Sequence, residues 1–255
     1  MSRRALAAVV SLACIAPFAY LALLSLAGPW PFPHLLPETL RGDRWRALAE
    51  GGGALGDSLL TSLVVSGVVA LLASAGGFLS ARAVAYHRWR AWLLAAAYVP
   101  FAASPVVLGV CLLYVYIKLG VAGTAVGVVL AHTVFAYGFA VLFWVPFWSP
   151  EKRGYEDLVR TLGGSHLQAF RRVLLPLSRG PFAVCVLQTF LISWFQYGLT
   201  VLVGAGKVDT LTLRVFAYVY EGNTGQAAVA SLVLIAPAAA FAWLNRRVIS
   251  RLVGS

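Results

Sequence analysis

Two adjacent carboxylates, Glu156 and Asp157, stand near three arginines, Arg160, Arg171 and Arg172, in a segment that also carries Leu158, Leu162, Leu167 and Phe170. Charge mixed with apolar contact points in this way does the chemistry of docking. Nothing in the chain completes a catalytic set. There is no H-E-x-x-H, and Cys14, Cys111 and Cys185 lie far apart in apolar runs with no metal-ligand spacing. GAGK at 204–207 is not a phosphate-binding loop, because Val201 stands where its first glycine should be and Val208 follows Lys207. No catalytic or metal site is therefore expected, and no nucleotide site in this chain.

Local grammar explains how residues 155–176, YEDLVRTLGGSHLQAFRRVLLP, would be shaped. Gly163 and Gly164 can take the left-handed conformation that ends a helix. Ser165 and Gln168 have the S-x-x-Q spacing of a capping box, which starts a second helix. Pro176 is expected to mark its end. The result is a hairpin of two short helices around a glycine corner.

The elements around this hairpin belong in lipid. Of 255 residues 60% are hydrophobic and only 11% charged, against about 25% charged in soluble domains. Mean hydropathy is +0.83. Six apolar runs, 5–26, 59–79, 91–117, 124–147, 182–203 and 227–244, each approach the ~20 residues that cross a bilayer as a helix. None contains Asp, Glu, Lys or Arg, and helices are the default span because hydrocarbon offers backbone groups no partner. The expectation is an all-α polytopic membrane protein, one domain over 1–255, with a cytoplasmic loop at about 148–180.

The net charge of +11 follows topology. With the N-terminus inside, the outside segments hold Arg41, Arg44, Arg46, Lys118, Lys207 and Arg214, and the remaining 14 of the 20 Lys and Arg fall inside. That is the positive-inside asymmetry; no nucleic-acid partner is expected. Both termini are then cytoplasmic, the first run is an uncleaved span, and 28–58 and 204–226 are outside loops. In the first of these, Trp30 and Phe32 suit the headgroup level, RGDRWRALAE reads as a short amphipathic piece, and GGGALGDS as a flexible hinge. Pro100 and Pro105 predict a kink in the third run. His132 and Tyr137 are polar groups within the fourth. In the fifth, Thr189, Ser193, Gln196, Tyr197 and Thr200 recur at helical spacing and are expected on one face, either as a wall of a translocation pathway or as hydrogen-bonding groups between packed helices.

The hairpin resembles the cytoplasmic loop of ABC importer permeases, with its pattern of acidic-Ala-Ala, glycine and Ile-x-Leu-Pro. Asp157-Leu158-Val159 stands at the acidic-Ala-Ala triplet, Gly163 at the glycine and Val173-Leu174-Leu175-Pro176 at the last motif. Leu158 and Val159 are bulkier than the two alanines, and the acidic contact falls to Asp157 or to its neighbour Glu156. SWFQYGLTVLVGAGK and the text after it are also similar to permeases of this kind, the 15-residue stretch most of all to thiamine-type ones, and the length and single domain resemble the group serving polyamines, thiamine, ferric ion, sulfate and similar solutes. The resemblance implies a type I ABC importer permease fold in a bacterial cytoplasmic (inner) membrane. It implies coupling through Glu156, Asp157, Leu158, Val159, Arg160, Gly163, Gly164 and Pro176 to cytoplasmic ATPase subunits, which carry the ATP and Mg. It also implies a second permease subunit, identical or homologous, and an extracytoplasmic solute-binding protein. The alternative is an ATP-independent secondary transporter or channel, which leaves the basic hairpin without a purpose.

Overall fold

The structure is a computed structural model and describes residues 3–30, 34, 36–51 and 53–253; Phe32 lies outside them. The elements in chain order are α1 (Arg3–Leu26), α2 (Asp43–Ala49), α3 (Gly53–Tyr86), α4 (Arg90–Ala102), α5 (Pro105–Lys118), α6 (Ala125–Trp144), α7 (Pro150–Thr161), α8 (His166–Ala169), a π-helical turn (Phe170–Leu174), α9 (Leu175–Trp194), α10 (Gly198–Gly204), α11 (Leu211–Tyr220) and α12 (Thr224–Val253). Among the described residues, five helical stretches are long and apolar enough to cross a membrane, and α4 with α5 makes a sixth if that bent pair counts as one span.

The chain divides into two compact units, Met1–Ser62 with Asp209–Ser255, and Leu63–Val208. In the first, α1 and α11 pack along α12. The short amphipathic piece forms α2 as expected, and its side chains serve the end of α1. Arg44 donates to the Ala27 carbonyl at 2.7 Å and Trp45 Nε1 to Ser25 Oγ at 3.1 Å, where a helix C-terminus leaves carbonyls without intrahelical partners. From Gly53 onward the glycine-rich stretch is the start of α3 rather than a flexible hinge. The stretch 204–226, expected as the second outside loop, is half helix. Its α11 is tied down at its start, where Leu211 N–H donates to Ser62 Oγ at 2.6 Å and Asp209 accepts from Ser58 at 3.1 Å while pairing with Arg214.

In the second unit α6 is the central helix. Val128, Ala131, Ala136, Ala140 and Trp144 are wholly buried on it, against Val69, Ala73 and Ala81 of α3. Small side chains at such contacts let membrane helices approach closely, which replaces the hydrophobic drive that lipid removes.

Two of the expected spans are broken. The third is two helices at 100° rather than one kinked helix. Pro105 pushes Ser104 out of the helical region, to φ −57°, ψ 142°. Ser104 then caps α5 by accepting from Val106 N–H at 3.3 Å, with Pro105 in the first turn where its missing N–H costs nothing. The fifth span breaks at residues 195–197, between α9 and α10.

Candidate coupling hairpin and intramembrane polar cluster

The glycine corner forms as the local grammar requires. Gly163 sits at φ +80°. Its N–H donates to the Arg160 carbonyl at 3.0 Å and the Gly164 N–H to the Val159 carbonyl at 2.8 Å, the paired bonds of a Schellman cap. Gly164 keeps a negative φ but has no room for a side chain: a Cβ there would stand 2.6 Å from Val159 Cγ1. The capping box is complete, with Gln168 N–H donating to Ser165 Oγ at 3.2 Å and Ser165 N–H to Gln168 Oε1 at 2.8 Å. Pro176 does not end the second helix. The chain runs on from α8 through the π turn, where Leu175 N–H reaches back to the Phe170 carbonyl, and Pro176 lies in the first turn of α9. The wider turn moves the hydrogen-bond register by one residue just before a residue with no N–H to give.

Glu156 and Asp157 look equivalent in sequence and are not equivalent in space. Glu156 is 6% exposed and takes the Arg82 guanidinium of α3 on both oxygens, Nε to Oε1 at 3.1 Å and Nη2 to Oε2 at 2.5 Å. Trp148 stacks beneath Arg82 at 5.9 Å and donates to the Phe78 carbonyl at 3.2 Å. Tyr86 at the end of α3 donates to the Ser149 carbonyl at 3.3 Å and receives the Arg153 guanidinium over its ring at 5.5 Å. These contacts brace α7 to the end of α3. Asp157 is exposed and only loosely paired with Arg160, at 4.0 Å. Val159 turns inward against Gly164, so it shapes the corner.

Behind the brace lies an aromatic cluster. Phe78 meets Trp144 edge-on at 4.6 Å and packs with Trp148, Phe170 and Phe182 within 6.2 Å. It joins α3, α6, the π turn and α9. Aromatic pairs in this geometry are worth about 0.5–1.5 kcal/mol each beyond their burial, so the root of the hairpin is stiff. Its tip is bare. Leu162 is 79% exposed, Leu167 59% and Leu158 57%. The braced hairpin thus carries three bare leucines among charges.

The polar residues of the fifth run do not share one helix face. Thr189 and Ser193 lie on α9, Gln196 and Tyr197 in the break, and Thr200 on α10. Thr189, Ser193 and Thr200 are buried and hydrogen-bonded to other helices. Ser74 of α3 meets Thr189 at 2.9 Å. His132 of α6 spans the break, with Nδ1 2.8 Å from Ser193 Oγ and Nε2 2.9 Å from Thr200 Oγ1. Thr200 gives its own proton to the Gln196 carbonyl at 2.9 Å. It must therefore accept from Nε2–H, which leaves Nδ1 to accept from Ser193. Gln196 Nε2 is buried without a partner among the described residues. The role of His132 was not legible from spacing, because its partners are 61 and 68 residues away. Tyr137, singled out with His132 in this span, donates to Ser80 of α3 at 2.8 Å.

Broken membrane helices around a hydrogen-bonded core, with a braced hairpin leading into one of the spans, define a polytopic membrane protein. Residues 73–254 match the family model described as binding-protein-dependent transport system inner membrane component. The chain belongs to that family, the inner-membrane permease subunits of ABC importers, and this sets aside the ATP-independent transporter or channel. It is 27% identical over 222 residues to the Salmonella typhi permease protein PhnV, named for a 2-aminoethylphosphonate transport system, with 81% of this chain and 84% of that protein covered. It is also 27% identical to the osmoprotective compounds uptake permease protein GgtD of Synechocystis sp., spanning 52% of this chain and about half, 47%, of the relative. Among solved structures it is similar to a bacterial ABC transporter involved in the import of the acidic polysaccharide alginate, at TM-score 0.64 and 14% identity, covering 96% of this chain and 94% of that one. That likeness is one of fold.

Proposed function

We propose that residues 150–176 are the element through which this permease is driven by a cytoplasmic ATPase pair, which would bind the ATP and Mg. The observation that carries the reading is the bare ridge of Leu158, Leu162 and Leu167 on a hairpin braced to α3. A stiff root and an uncovered apolar tip are what a lever needs, since force applied to the tip reaches α3, α6 and α9 through the aromatic cluster. Of the two carboxylates, Glu156 serves the brace, and Asp157 stands exposed beside the leucine ridge, which carries the docking. Replacing Leu158 and Leu162 together by glutamate should abolish co-purification of the ATPase while the permease still assembles in the membrane. Unchanged ATPase recovery would reject the hairpin as the docking element.

The same reading places a second permease subunit, identical or related, across a shared pathway and a solute-binding protein on the outside loops. The solute would belong to the class of small polar or charged molecules served by polyamine, thiamine, ferric-ion and sulfate permeases. Relatives named for osmoprotective compounds and for 2-aminoethylphosphonate differ too much in cargo to choose one. Within the pathway set, Gln196 has a buried amide nitrogen with no partner, whereas Thr189, Ser193 and Thr200 are already bonded to neighbouring helices. Gln196 is thus the member of the set with a donor free for solute.

Both termini are placed in the cytoplasm on the distribution of Lys and Arg. Gly154→Cys in α7, where nothing lies within 4 Å of an added Cβ, should be shielded from an impermeant thiol reagent in intact cells, in a background without the native cysteines. Arg41→Cys should be labelled. The reverse pattern would invert the map.

A further inference from the structure

A cavity of about 510 Å³ runs between α4, α5 and α6, beside the end of α3. Its walls are Leu93, Ala96 and Pro100 of α4 and Leu130, Val134 and Val141 of α6. Leu93, Leu130 and Val134 stay 38–42% exposed, so the cavity is an open groove. From Leu130 to Val141 a helix advances about 16 Å, which is roughly the depth of one leaflet of a ~30 Å hydrocarbon core. The polar side chains in the lining are the hydroxyls of Tyr116, Thr133 and Tyr137, and that of Tyr137 is spent on Ser80 at 2.8 Å. A polar or charged solute would find no amide, carboxylate or cation here. An alkyl chain finds a wall of matching chemistry.

One end of the groove, at Val84, Leu93 and Val141, meets the turn between α3 and α4. That turn is basic and aromatic: Arg88, Trp89 and Arg90 are all exposed, and so is Trp92. The Arg88 guanidinium lies over the Trp89 ring at 5.7 Å. Arg90 stands three residues before Leu93, on the same side of α4. Among the described residues neither Arg88 nor Arg90 is paired with a carboxylate, whereas Arg82, Arg160 and Arg214 are. Tryptophan favours the headgroup level, and an unpaired guanidinium there is a fork for phosphate oxygens.

We propose that this groove holds one acyl chain of an anionic phospholipid whose headgroup phosphate sits on Arg88 and Arg90. Depth, apolar lining and charge at the mouth all fit the same ligand. A second copy of the chain could cover an apolar groove too, but it would have no use for two unpaired arginines at one end. A bound chain would wedge between α4 and α6, so the site ties the broken span to its lipid surroundings.

The test uses the full chain in phosphatidylcholine vesicles doped with phosphatidylglycerol bearing a photoreactive group on its acyl chain, and compares phosphatidylcholine bearing the same group. Both lipids are present in both leaflets, so membrane orientation does not enter. Phosphatidylglycerol should label peptides from 93–100 and 130–141 about fivefold or more over phosphatidylcholine, given the attraction of two basic residues for an anionic headgroup. Arg88→Gln with Arg90→Gln should bring the two lipids to parity. Ala96→Trp, which fills the groove, should remove labelling by both. Equal labelling of the wild type by the two lipids overturns the proposal. So does absence of label from these segments, or efficient cross-linking of Val134→Cys between two copies, which would show a second subunit seated there. The arginine variant lies on an exposed turn, so its result stands even if the tryptophan variant fails to assemble.

Discussion

Glu156→Lys is expected to disconnect α7 from α3 and to cut solute uptake by about tenfold or more, whereas Asp157→Lys should leave uptake within about twofold. The two positions are neighbours in sequence, and the difference lies in burial. Lysine at 156 would remove the carboxylate that takes both Arg82 donors and set a like charge against it. Breaking a buried pair from one side costs about 3–5 kcal/mol, but the Arg82 side chain is 44% exposed, and solvent screening lowers the figure to about 1–2 kcal/mol. An equilibrium between braced and loose hairpin shifted by that amount changes by about tenfold. Asp157 is exposed and its pair with Arg160 is stretched to 4.0 Å, a contact worth well under ~1 kcal/mol. The measurement is uptake and ATPase stimulation by the reconstituted transporter, at matched permease abundance. Combining Glu156→Lys with Arg82→Glu should recover much of the loss, because the reversed pair can close again. If the 156 and 157 variants behave alike, the ion pair does not brace the hairpin.

His132→Leu should loosen the break between α9 and α10. It deletes two hydrogen bonds to Ser193 and Thr200 and leaves their hydroxyls to find partners within their own helices. Hydrogen bonds inside membrane proteins average about 0.6 kcal/mol and reach about 1.7, so the pair accounts for about 1–2 kcal/mol. For a chain of this size that lowers the melting temperature of the detergent-solubilised protein by roughly 2–8 °C. His132→Gln keeps one donor and one acceptor and should regain part of the shift. Gln196→Leu makes the contrast. Its amide nitrogen has no partner to lose, so the melting temperature should stay near the wild-type value while the KM for uptake rises. A His132→Leu protein that melts like the wild type would show that the break is held by packing alone. A Gln196→Leu protein with unchanged uptake would remove Gln196 from the pathway.

The hairpin and the break show which features a linear reading can reach. The corner at Gly163 and the box between Ser165 and Gln168 are settled by residues within five positions of each other, and both form as read. Apolar runs free of charge place the spans, because the cost of a charge in hydrocarbon is paid residue by residue. Proline marked the third span as bent, and the same local rule, acting through Ser104, explains the break. The fifth span contains no proline between Phe182 and Val203, and its polar residues have a helical period, so nothing local signals that α9 ends at Trp194.

By itself, then, the sequence determined the class of the protein, its helical spans and the shape of the hairpin corner. Each of these follows from backbone chemistry and solvation acting over a few residues. The tertiary structure alone decided that Glu156 and not Asp157 is buried, that Pro176 opens a helix rather than closing one, and that His132 joins the two sides of a break. Those outcomes depend on Arg82, on the packing of Phe78 against Trp144 and Phe170, and on Ser193 and Thr200. These partners come together only when distant helices pack, and burial and pairing are properties of that packing.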